Sequence, residues 1–158
     1  MEGNNGTTVI VMSGDMDKVL SAFSIAIGAA AAGKETSMFF TFWGIKAIQK
    51  GNLTGRSLLG RMMGLMNRGG INRIGPSRFN FFGIGRWMFK RMMKNHNIPS
   101  LEELRKTAME LGVKLMPCQM SMEVMEIPAD SLIDGVTEPC GVATMLEISD
   151  RSRQTLFI

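Results

Sequence analysis

Apolar positions along this chain switch between two periods. Thr7 to Met12 is β-branched and apolar and stops at Ser13, Gly14 and Asp15, the pattern of a buried strand feeding a loop. From Met16 to Ala32 the spacing becomes helical. Val19, Leu20, Phe23 and Ile27 line one side, and Gly33 supplies the stop. Thr36 to Phe42 predicts a second strand, Trp43 and Gly44 a turn at its carboxyl end, and Ile45 to Lys50 the opening of a second helix. Further on, Ser100 and Glu103 fit a capping box, and Leu101, Leu104, Ala108 and Leu111 form a helical stripe that Gly112 ends. Val113 to Pro117 predicts a third strand that stops at Cys118. Gln119 to Glu126 predicts a short helix, ended before Pro128, and Asp130 to Ile133 a helical turn. Asp134 to Thr137 reads as a turn into a short fourth strand. Pro139 suits the first turn of a helix from Cys140 to about Asp150, and Gln154 to Ile158 closes the chain as a fifth strand.

Strands alternating with helices from end to end imply an α/β fold. The expected architecture is a doubly wound, mostly parallel sheet of about five strands with helices on both faces. Functional crevices in such sheets lie at the carboxyl ends of the strands. Three strand ends converge there: Ser13 and Gly14 after the first, Phe42, Trp43 and Gly44 after the second, and Cys118, Gln119 and Met120 after the third.

One stretch departs from the alternation. Gly51 to Asn97 is rich in Gly, Met, Arg and Phe. Leu58, Leu59, Met62, Met63 and Met66 share one helical face, and Arg86 to Lys94 interleaves apolar and basic residues at helical spacing. The segment reads as an insertion of two short basic amphipathic helices in a single domain spanning residues 1–158. Charge sharpens this reading. The net charge is only +4, yet no Asp or Glu occurs between Thr36 and Leu101, while eleven Lys and Arg do, from Lys46 to Lys94. Such a block faces an anionic partner or an acidic surface. A membrane surface, a partner protein and a nucleic acid are the three candidates. No nucleic-acid motif appears, and the Met and Phe content favours a hydrophobic partner, protein or lipid, over nucleic acid.

Two cysteines are too few for a disulfide scaffold. Met1 to Thr8 is polar and lacks the basic-then-apolar order of a secretory leader, and the apolar run Ala22 to Ala32 is too short to span a bilayer. The expectation is a cytoplasmic protein with free thiols. With one histidine, His96, and no metal-ligand spacing between the cysteines, no metal site is expected. His96 reads as a solvated helix end, and Asp15 and Asp17 as helix N-terminal charges. No phosphate-binding or dinucleotide fingerprint follows the first strand.

Cys118 leads the chemistry. A thiol reacts as its thiolate, and a helix N-terminus favours that form. The competing reading is a buried, inert cysteine, a common fate for this residue type. Cys140 is a candidate second thiol, able to pair with Cys118 or to pass sulfur onward. The plainer reading makes it a small buried residue beside Gly141.

Four blocks together resemble the DsrE/DsrF/DsrH-like family: Phe40 to Gly44, Cys118 to Met125, Ile133 to Val136, and Gly141 to Thr144. The resemblance covers nearly the whole chain. It implies a flavodoxin-like fold, homo- or hetero-oligomers (often trimers or hexamers) and a role in sulfur relay with TusA-like or rhodanese-like partners. In sulfurtransferase members of the family, a cysteine at the position of Cys118 carries a persulfide. Such a relay needs no bound cofactor. The family lends no such support to Cys140. A peroxidatic site, with its Thr-x-x-Cys environment and Arg, is not evident here.

Three functions are therefore in play. A sulfur carrier would use Cys118 alone. A non-enzymatic oligomeric adaptor would present the basic insertion to a membrane or protein. A dithiol redox protein would use Cys118 with Cys140.

Overall fold

The structure is a computed structural model and describes residues 5–158. Met1 to Asn4, the start of the segment read as lacking a leader, lie outside the described residues. Strands β1 (Gly6–Val11), β2 (Thr36–Phe40), β3 (Lys114–Pro117) and β4 (Ser152–Phe157) form one sheet in the order β3-β2-β1-β4. All three pairings are parallel. The two central strands are covered on both faces, which is why Thr7 to Val11 and Thr36 to Phe40 read as near-continuous rather than alternating runs.

Register decides which side chains share a face. Val9, Met38 and Leu115 are aligned, as are Val11 and Phe40. These face the larger core, where α1 (Met16–Ala31) contributes Val19, Phe23 and Ala26 and α4 (Leu101–Glu110) contributes Leu101 and Ala108. The intervening row, Ile10, Phe39 and Met116, faces the other way. It meets a smaller cluster under α6 (Val142–Asp150), whose one buried residue is Met145.

Helices thus lie on both faces, as expected, but the sheet has four strands rather than five. The missing strand is residues 137–140. They run beside the free edge of β3, with Thr137 N–H donating to the Leu115 carbonyl (2.9 Å) and Cys140 N–H to that of Pro117 (3.0 Å). Pro139 has no N–H, so the ladder is interrupted and only an isolated parallel bridge between Cys118 and Cys140 survives. Accordingly Pro139 does not open a helix. Gly141 is the N-cap of α6, and Cys140 stays in extended chain ahead of it.

A second difference follows β2. Phe42–Ile48 is a 3-10 helix, not a turn followed by an α-helix. Gly44 N–H reaches both the Thr41 carbonyl (3.0 Å) and the Met12 carbonyl (2.9 Å), which draws this coil tight against the end of β1.

Segment 51–97 holds the two expected helices, α2 (Leu58–Met66) and α3 (Ile84–Asn95). Their placement is informative. The buried residues of α2 are Gly60 and Gly64, while Leu58 and Met66 are at least four-fifths exposed. A Cβ on Gly60 would lie 2.1 Å from a Glu126 carboxylate oxygen, and one on Gly64 2.1 Å from the Thr54 carbonyl. Small residues therefore dock the helix, and its apolar face is turned outward.

Glu126 is the latch for this arrangement. Its carboxylate accepts from the Ser57 hydroxyl (2.6 Å), the Ser57 N–H (2.8 Å) and the Arg56 N–H. Those hydrogen bonds, the Ser57 hydroxyl's foremost, hold the Glu126 carboxyl below the ordinary glutamate range. A depressed folded pKa gives stability that is complete above the unfolded value and is lost as pH falls through the folded one. Glu126→Gln is therefore expected to speed limited proteolysis of segment 51–97 at neutral pH, with wild type and variant converging in acid. Equal cleavage at neutral pH would remove Glu126 from this role.

Candidate functional site

The rim at the carboxyl ends of β1, β2 and β3 is built by close backbone approach. A Cβ on Gly44 would sit 2.1 Å from the Val11 carbonyl oxygen, and one on Gly14 2.6 Å from that of Trp43. Only glycine fits either position. Ser13, half of the same loop, donates through its hydroxyl to Asp15 (2.9 Å) and accepts the Asp15 N–H (3.2 Å). Phe42 adopts φ 44°, a left-handed conformation costing roughly 1–2 kcal/mol for a non-glycine residue. The crowding of the 3-10 helix onto β1 holds it there.

One strand over, Cys118 donates its N–H to the Phe40 carbonyl (2.9 Å) and is the N-cap of α5 (Gln119–Val124). The Thr41 and Ser121 hydroxyls are hydrogen-bonded at 2.8 Å and tie the end of β2 to α5. Neither residue stood out in the sequence, where Thr41 looked like strand and Ser121 like an ordinary helical serine. Ser13, Gly14, Phe42, Trp43 and Gly44 are thus one packed loop pair, with Cys118, Gln119 and Met120 beside it. Trp43 and Met120 are exposed on this rim.

The side chain of Cys118 does not open onto the rim. It follows Met116 by two residues, takes the same face of the sheet, and is fully buried against Phe39, Met116 and Met145. Cys140 joins the same cluster from the partly exposed side. Gln119 N–H donates to the Cys140 carbonyl (3.0 Å), so the two cysteines are direct cross-strand neighbours. Both are free thiols. Burial, and secondarily the neighbouring Cys118, push the Cys140 thiol pKa up. Beside the pair lies an open cleft of about 530 Å³, lined by Gln119, Pro139, Arg56, Met122 and Glu123 among others.

Other candidates take structural places. His96 is the exposed C-cap of α3. Asp17, in the first turn of α1, accepts from the Ser77 N–H and hydroxyl, each at 2.8 Å, and so pins segment 51–97 to the core. Asp15 pairs with Lys18 at 3.4 Å. Among the described residues, no group of three or more His, Cys, Asp or Glu is placed to hold a metal ion.

Comparison with known proteins agrees with this architecture. The chain is 38% identical over 159 residues to the uncharacterized protein YrkE of Bacillus subtilis, covering 99% of each. It is 32% identical over 154 residues to the sulfur carrier protein DsrE2 of Allochromatium vinosum, covering 95% of this chain and 96% of that one. The ychN protein from E. coli shares the fold, with a TM-score of 0.58 at 13% identity over 97% of this chain and 99% of its own. The sequence profile of the DsrE/DsrF/DrsH-like family matches residues 3–157. The parallel sheet, the loop pair at its rim and the cysteine that ends β3 therefore belong to a member of the DsrE/DsrF/DrsH-like family.

Proposed function

We propose that this chain is a sulfur carrier, one α/β domain in which Cys118 holds a persulfide and passes its outer sulfur to a partner thiol. The observation that carries this reading is the placement of Cys118 at the carboxyl end of β3, enclosed by Phe39, Met116 and Met145. In loading, the Cys118 thiolate attacks the outer sulfur of a donor persulfide. The new Cys118 Sγ–S bond forms as the donor's S–S bond breaks, and the donor leaves as a thiolate. Enclosure then shields the bound sulfur from water and stray thiols.

Access requires local opening, and α6 is the element suited to it. It buries one side chain, is preceded by the interrupted ladder at Pro139, and caps the thiol. The cleft lined by Gln119 and Pro139 gives a TusA-like or rhodanese-like donor or acceptor a place to dock. Exposed apolar side chains at Met12, Val142, Leu146 and Phe157 support assembly with further copies of the chain, as a trimer or hexamer. The test is loading with inorganic polysulfide followed by mass analysis of the Cys118 peptide.

A second, compatible reading concerns segment 51–97. Its exposed Phe82, Trp87, Leu58 and Met66, set among basic residues with no acidic ones, fit peripheral contact with an anionic lipid surface. Among the described residues, no helix is long and apolar enough to cross a membrane. Flotation with vesicles of phosphatidylcholine and phosphatidylglycerol is expected to carry the full chain upward, less so at high salt. Phe82→Ser with Trp87→Ser is expected to weaken this at least about tenfold, from the apolar area lost. Equal flotation of the double variant would exclude the segment.

A further inference from the structure

We propose that Cys140 is a resolving thiol for this site: it attacks the persulfide on Cys118, releases hydrosulfide and closes a Cys118–Cys140 disulfide. The proposal rests on the sulfur-carrier reading and adds a second outcome to it. Sulfur on Cys118 is either handed to an acceptor or released as sulfide from within the chain.

Three observations carry it. Cys118 and Cys140 form an isolated parallel bridge, flanked by hydrogen bonds from Cys140 N–H to Pro117 and from Gln119 N–H to Cys140. Paired strands lie about 4.8 Å apart, within the Cα separation of about 4.4–6.8 Å that a disulfide spans. Both thiols pack into one cluster with Phe39, Met116 and Met145, so they share a face of the sheet rather than pointing apart. Cys140 itself is held by two backbone hydrogen bonds, with open space in the chain just after it. Pro139 interrupts the ladder before it, and a Cβ built on Gly141 meets nothing within 4 Å. An external thiol must wait for Cys118 to open, whereas Cys140 is already inside the enclosure.

The step balances without an external oxidant. Cys140 sulfur attacks Cys118 Sγ, the persulfide S–S bond breaks, and the Sγ–Sγ bond forms. The outer sulfur leaves with the bonding pair and takes the Cys140 proton, departing as hydrosulfide. That sulfur is reduced, and the cysteine pair is oxidised by two electrons relative to the dithiol. An external dithiol reductant restores the two free thiols. Cys140 attacks as its thiolate, and the proton it gives up on ionising is the one that the departing sulfur takes.

The experiment uses the full chain loaded with inorganic polysulfide and then desalted. Intact mass and released sulfide are followed over time. Wild type is expected to pass from a species one sulfur atom heavier to one lacking two hydrogens, releasing one sulfide per chain. Dithiothreitol is expected to reverse the second change. Cys140→Ala and Cys140→Ser are both expected to stay loaded, losing sulfide at least about tenfold more slowly because the intramolecular attacker is gone. Equal loss of sulfide from wild type and both variants, or no internal disulfide in wild type, overturns the proposal. The two readings fail separately. If Cys140→Ala never loads, the sulfur carrier itself falls. If it loads and wild type does not resolve, only the role of Cys140 falls.

Discussion

Gly44→Ala is expected to lower the melting temperature by about 10 °C. Its new Cβ would lie 2.1 Å from the Val11 carbonyl oxygen and 2.8 Å from the carbonyl carbon. Both are backbone atoms of a central strand, so neither can swing aside as a side chain would. Overpacking of this kind costs about 3 kcal/mol at its upper range, and a chain of this size loses roughly 2–4 °C per kcal/mol. The effect reaches the site, because the 3-10 helix carrying Phe42 and Trp43 must move away from β1. Gly28→Ala is the matched control. It lies inside α1 with nothing within 4 Å of its Cβ, so alanine is expected to stabilise by about 0.5–1 kcal/mol. Thermal denaturation of the two variants should give opposite signs. A Gly44→Ala protein as stable as wild type would mean that the rim is looser than described.

Cys118→Ser is expected to reduce sulfur loading from polysulfide by about a hundredfold or more, since an alcohol supplies no thiolate to attack sulfane sulfur. The remaining thiol, Cys140, has its pKa raised by burial and is a poor substitute. Serine also places a hydroxyl in an apolar cluster of Phe39, Met116 and Met145, at a cost of about 1–3 kcal/mol. Cys118→Ala separates the two effects, because it removes the thiol without burying a polar group. Both variants are expected to fail at loading while Cys118→Ala melts closer to wild type. Loading retained in the alanine variant would move the carrier role to Cys140.

Much of the fold was legible in the sequence. Thr7 to Val11 and Thr36 to Phe40 are runs that only covered strands tolerate, and Ser100 with Glu103 does form its capping box. The rim followed from the same reasoning, since strand ends in a parallel sheet must gather on one side. The short strand expected after Thr137 failed on one residue. Proline suits both the first turn of a helix and an edge of a sheet, and local pattern cannot choose between them. Pro139 took the edge, which placed Cys140 beside Cys118. That pairing is non-local and carries no periodic signal. Cys118 was placed correctly at a strand end, but its parity with Met116, not the strand end itself, sends its side chain into the cluster under α6. Periodicity likewise found the apolar face of α2. It could not show that Gly60 and Gly64 would dock the helix and leave that face outward.

A persulfide on Cys118 is tested most directly by peptide mass mapping of the wild-type chain after brief polysulfide loading, trapped with an alkylating reagent before resolution can proceed. The peptide containing Cys118 is expected to carry one additional sulfur atom. Additional sulfur found on Cys140 alone, or on neither peptide while both thiols remain reduced, would contradict it.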